Sequence, residues 1–169
     1  MIQEEAISLF FFWYSVMINA LKIKKIAEKR INEIGGFLVD LKVSTSNVIS
    51  LSFDKMEGVN FDDCLKITKF IEDNFDKDIE DYELNVSSAG LVNPFKVEQQ
   101  YIKNIGKVVS ILLINGERKS GKILSYDNKK LKIEVQKNKK LKKKDNIVKH
   151  EIIIPESDIK ETKLKIKWK

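Results

Sequence analysis

Apolar residues recur along this chain with two different periods, and the switches between them mark out its elements. Ile23, Ile26, Ala27, Ile31 and Ile34 share one helical face, and Gly35-Gly36 supplies a usual helix stop. Phe37, Val39, Leu41 and Val43 then alternate with Leu38, Asp40 and Lys42, the periodicity of a strand. A polar turn, Ser44–Asn47, leads into a second alternation at Ile49, Leu51 and Phe53. Asn60 has the character of an N-cap, with Asp62 and Asp63 in the first turn, where the helix dipole favours acids. Cys64, Ile67, Ile71 and Phe75 give this second helix its buried stripe, and Tyr82, Leu84 and Val86 a third strand. The order α-β-β-α-β predicts a two-layer domain with both helices on one face of a small sheet.

Beyond Pro94 the pattern changes. A short helix over Val97–Asn104 ends at Gly106, and the rest reads as strand. Val108–Ile114 is continuously apolar, and Asn115-Gly116 is a strong hairpin signal. Lys122–Tyr126 follows, with Gly121 where a bulge or bend would sit. Asp127-Asn128 turns into the alternation of Leu131, Ile133 and Val135, and Ile147–Ile154 and Thr162–Trp168 supply two more strands. Five short strands with tight turns predict a small closed or nearly closed β-barrel. The fold class expected is α+β, with an acidic α/β domain over 17–92 and a basic barrel over 93–169.

Residues 1–16 stand apart from both. Ala6 to Leu21 is uncharged and dense in aromatics between Phe10 and Tyr14. It is shorter than the ~20 residues of a membrane-spanning helix. Its flank is Glu4-Glu5 rather than basic, unlike a signal peptide. The expectation is an extension outside the folded protein, with Met17 as the working start.

Charge sharpens the division. Residues 1–93 carry 10 Lys/Arg against 16 Asp/Glu, a net −6; residues 94–169 carry 21 against 9, a net +12. The first half should attract basic partners and the second polyanions. Within the 169 residues, a lone Cys64 excludes an internal disulfide and fits a reducing cytoplasm. With His150 the single histidine, no Cys/His zinc site can form in one chain. No cofactor or metal is expected.

Two stretches carry a family likeness. Asp54-Lys-Met-Glu-Gly-Val-Asn-Phe-Asp-Asp-Cys64 resembles the hairpin-to-helix segment of the bacterial ribosome maturation factor RimP family. Val86-Ser-Ser-Ala-Gly-Leu91, Pro94 and Tyr101-Ile-Lys-Asn-Ile-Gly106 resemble that family's signature at its domain junction, with Ala89 where many members have proline. The resemblance implies a non-enzymatic factor that assists maturation of the small (30S) ribosomal subunit. It implies an α/β domain joined to an Sm-like or SH3-like barrel. The partners implied are the assembling subunit, with its 16S rRNA, and a small-subunit ribosomal protein near the decoding centre. No membrane is involved, and the chain is expected to act as a monomer.

The residues themselves nominate three sets. Lys137, Lys139, Lys140, Lys142, Lys143 and Lys144 form a run that must be solvated, either as a plain solubilising loop or as a phosphate-contacting arm. Arg118, Lys119, Lys122, Lys129, Lys130 and Lys132 add charge to the same half. Lysines are point charges, so these would position RNA rather than read its bases. Tyr126 and Trp168 are the sparse aromatic candidates, more often core or rim than base platforms. The acidic set is Asp62, Asp63, Glu72, Asp73, Asp76, Asp78, Glu80 and Asp81, either a solvated helix end or a docking face for a basic protein. Ser87, Ser88, Gly90, Leu91 and Pro94 form the junction motif, expected to set the backbone between the domains. Two competing readings are a stand-alone Sm-like RNA regulator and a metal-dependent nuclease using Asp62, Asp63 or Glu72. A flexible acidic run suits the latter poorly.

Overall fold

The computed structural model describes residues 20–75, 82–136 and 149–166. It is an α+β protein whose contacts divide it into two compact units, Met1–Ala89 and Gly90–Lys169.

In the first unit, helix α1 runs through residues 20–33. Strands β1 (Gly36–Val43) and β2 (Val48–Lys55) follow, then helix α2 (Phe61–Asn74) and strand β3 (Glu83–Ser88). The sheet order is β1-β2-β3, antiparallel between the first pair and parallel between the second. Parallel pairing needs a long crossover, which α2 provides. Ile23, Ala27 and Ile31 of α1, Ile67 and Ile71 of α2, and Ile49, Leu51 and Phe53 of β2 bury one another in a single core. Leu84 and Val86 of β3 pack against it.

One departure from strict alternation is informative. Phe37, Val39, Leu41 and Val43 would share a face in a regular strand. The register slips between Leu38 and Asp40, so Leu38 faces Phe53 while Leu41 faces Leu51. A β-bulge at Val39 changes the parity. Leu38, Leu41 and Val43 therefore meet the core, and Phe37 and Val39 are buried outside it.

The second unit begins with helix α3 (Glu98–Lys103) and continues with β4 (Val108–Leu113), β5 (Arg118–Asp127), β6 (Lys130–Gln136), β7 (Lys149–Pro155) and β8 (Ile159–Leu164). Among the described residues these form one antiparallel sheet in the order β7-β6-β5-β4-β8. The sheet is not closed, so the fully closed form of the expected barrel is not met: β7 and β8 stand at its two edges. A 3-10 turn, Glu156–Asp158, carries the chain from one edge to the other in place of a hairpin. Val109, Ile111, Ile123, Leu131, Ile133 and Ile154 form the core with Tyr101 of α3.

Gly121 is not at a bulge. It pairs regularly with Val109, and the register slip in β5 falls later, between Ile123 and Ser125. β8 ends at Leu164, so the strand expected to reach Trp168 is shorter within the described residues. Trp168 and residues 1–16 lie outside them. Among the described residues no helix is long and apolar enough to cross a membrane.

Candidate functional site

The basic face of the second unit is built on β5 and β6. Strand register puts Val109, Ile111, Ile123 and Ile133 on the buried row, which leaves Arg118, Lys122, Lys132 and Lys130 on the opposite row. Lys119 departs from this set: it pairs with Ile111 on the inner row, and its ammonium lies 3.2 Å from Glu117. The outer row is also less positive than its lysines suggest. Lys122 stands opposite Glu134, and Lys132 lies 2.6 Å from Glu151. Glu134 and Glu151 face each other across β6 and β7, a like-charge pair that nearby cations offset.

Lys129 and Lys130 occupy the tip of the β5–β6 hairpin and are exposed. Lys137, Lys139, Lys140, Lys142, Lys143 and Lys144 lie outside the described residues. That matters for the balance of charge. The described part of the second unit holds 13 Lys/Arg against 8 Asp/Glu, a net +5, so most of its +12 belongs to residues beyond the description.

Among the described residues, the aromatic rings of this unit pack on or against its core. The Tyr101 and Tyr126 rings stack at 4.7 Å between centroids, and Phe95 meets Tyr101 edge-on at 5.1 Å. The Tyr101 hydroxyl donates to Thr162 Oγ1 at 3.1 Å, and burial raises its pKa. Burial, reinforced by a hydrogen bond to the Glu156 carboxylate, pushes the Tyr126 hydroxyl up to about 12. Tyr126 thus packs partly buried against the core, stacked on Tyr101, rather than standing free as a platform for bases. Gln100 fixes the start of α3, its side-chain oxygen accepting from the Lys96 backbone N–H at 2.7 Å. His150 sits exposed on edge strand β7.

In the first unit the acidic set separates by role. Asp63 is buried and structural. Asn60 Oδ1 accepts from the Asp63 N–H at 2.8 Å, and the Asp63 carboxylate accepts from the Asn60 N–H at 3.2 Å, a reciprocal capping box. Lys55 Nζ adds a contact at 3.2 Å. The backbone N–H of Asn60 is the chief cause of a lowered Asp63 pKa; desolvation opposes it and Lys55 assists. This residue is therefore withdrawn from the docking set.

Asp62, Glu72 and Asp73 are exposed on α2. Glu72 and Asp73 lie in its last turn, which holds no basic residue, so they oppose the helix dipole. Asp76, Asp78, Glu80 and Asp81 lie outside the described residues. Sequence reasoning missed two neighbours: Phe61, 75% exposed, and Leu65, 52% exposed, stand one turn apart on the outer side of α2. Their signal was available, since both fall off the Ile67/Ile71 stripe. The outer side of α2 thus carries an apolar pair among Asp62, Glu72 and Asp73, with Lys66 and Lys69 exposed on the same helix. Among the described residues no group of three or more His, Cys, Asp or Glu side chains could hold a metal ion.

At the junction, Ser87 and Ser88 end β3, and Gly90 takes φ +73°, the left-handed conformation expected of it. Leu91 is exposed, and Pro94 follows in irregular chain.

Comparison with known proteins gives a consistent result. The RimP N-terminal domain family matches residues 26–92. A protein of Christiangramia forsetii named ribosome maturation factor RimP is 34% identical over 148 residues, 86% of this chain and 96% of its own length. One of the same name from Porphyromonas gingivalis is 35% identical over 119 residues, 70% of this chain and 78% of its own. A third, from Flavobacterium psychrophilum, is 38% identical over 91 residues, 53% of this chain and 59% of its own.

Proposed function

Since this chain belongs to the ribosome maturation factor RimP family, we propose that it binds the assembling small ribosomal subunit in the cytoplasm and assists its maturation without catalysis. In this reading the second unit is the family's Sm-like barrel, its strand order left open between β7 and β8, and it contacts 16S rRNA through phosphates. The first unit, the two-layer domain, holds a basic ribosomal protein near the decoding centre. The observation that carries the assignment is the polarity of the chain, −6 against +12 on either side of the junction. Opposed charges within one molecule suit a particle made of polyanionic RNA and cationic protein. A single copy suffices for both contacts.

Sedimentation of lysate on a gradient tests the reading. Co-migration with free small subunits and absence from translating ribosomes is the expected result. Migration only at the top of the gradient, together with tight binding to isolated RNAs, would instead fit a stand-alone RNA regulator.

A further inference from the structure

The β5–β6 hairpin turns through Asn128 and Lys129, between the paired residues Asp127 and Lys130. Both turn residues have left-handed backbone, φ 47° and 57°. Two-residue hairpins of this kind favour asparagine first and glycine second, because a Cβ is disfavoured at positive φ. Asn128 follows that preference; Lys129 does not. The same unit shows the usual solution elsewhere: the β4–β5 hairpin places Gly116 at φ 85°.

The left-handed conformation at Lys129 is also firmly held. Its carbonyl accepts from the Glu156 N–H at 2.8 Å, tying the tip to the turn between β7 and β8. Asn128 Nδ2 donates to Asp127 Oδ2 at 3.0 Å. Relaxing the turn at Lys129 would disturb the bond from the Glu156 N–H. Neither Lys129 nor Lys130 forms an ion pair with another described residue, unlike Lys119 and Lys132. Residues kept in a disfavoured conformation by their surroundings cluster at functional positions.

We infer that Lys129 contacts an RNA phosphate, and that its side chain is kept at the hairpin tip for that charge against the backbone preference for glycine. The inference rests on the reading that the basic unit binds rRNA, and names one residue through which it does so. A lysine on a rigid turn places its ammonium more reproducibly than one on a solvated loop, so this contact would orient the unit on the RNA backbone.

The test uses the full chain and small-subunit rRNA transcribed in vitro, with binding followed across a salt series. Lys129→Gly should raise the melting temperature by about 4 °C. It should also weaken rRNA binding roughly three- to tenfold and reduce the magnitude of the log–log salt slope by about 0.7–0.9, the loss of one phosphate contact. Lys129→Arg, which keeps the charge, should bind as the unchanged protein does. If the unchanged protein binds rRNA and Lys129→Gly binds with the same affinity and slope, the phosphate contact is overturned while the broader reading stands. Failure of the unchanged protein to bind rRNA even at low salt overturns the broader reading itself. A lower melting temperature for Lys129→Gly overturns the claim of a backbone conflict.

Discussion

Gly121 and Glu134 lie so close across β5 and β6 that a Cβ on the glycine would sit 2.7 Å from the glutamate's carbonyl oxygen. The obstacle is backbone, which cannot swing aside as a side-chain end could. Gly121→Ala should therefore destabilise the second unit by about 1–3 kcal/mol, in the range of other overpacked sites. Chemical denaturation checks this; an unchanged midpoint would mean that the two strands separate at little cost.

Asp63 makes stability depend on acid. Its folded pKa is lowered, chiefly by the Asn60 N–H. The capping box thus contributes stability above the ordinary carboxylate range, about pH 4, and loses it as pH falls through the folded value. Asp63→Asn should melt lower at neutral pH and lose less on acidification than the unchanged protein. Melting temperatures from pH 7 to pH 2 give the comparison, and parallel curves would contradict it.

Tyr126 makes the opposite contribution at high pH. With its hydroxyl raised to about 12, the folded state holds the proton more tightly than the unfolded chain, whose tyrosines ionise near 10. The stabilisation is complete below about pH 10 and is lost as pH rises through 12. Ultraviolet titration should show late-ionising tyrosines at Tyr101 and Tyr126, and Tyr126→Phe should lose one of them. Ionisation of every tyrosine near pH 10 would contradict the stacked arrangement with Tyr101.

The outer side of α2 should behave as a surface built for contact. Phe61→Ser with Leu65→Ser should leave stability within about 0.5 kcal/mol, as exposed substitutions usually do. The same pair should weaken capture of a basic small-subunit ribosomal protein by roughly tenfold, a size typical of apolar anchors. Equal capture by both forms would remove this face from the docking site.

Much of the fold could be read from periodicity because most elements obey one period throughout. The α1 stripe through Ile23, Ala27 and Ile31, the Asn60 cap and the Asn115-Gly116 hairpin are all local signals, and each appears where the residues place it. What escaped was set by neighbouring strands. The bulge at Val39 depends on pairing with β2, and the need for Gly121 on the carbonyl of Glu134. The open edge between β7 and β8 depends on a 3-10 turn rather than on strand count. The candidate site was legible as charge but not as arrangement. Composition treats Asp62 and Asp63 alike, yet one is exposed and the other closes a helix cap. Likewise Lys119 and Lys129 count equally in a sum, although Glu117 holds the first and the second stands at an exposed tip.

The direct trial of the two-pole account is to replace Lys137, Lys139, Lys140, Lys142, Lys143 and Lys144 together with neutral residues and measure binding to immature small subunits across a salt series. If all six contact phosphates in the unchanged protein, their contribution to the slope of log K against log salt is about −4 to −5. The account predicts that this contribution vanishes and attachment weakens steeply at moderate salt. Attachment with the same affinity and the same slope would contradict it.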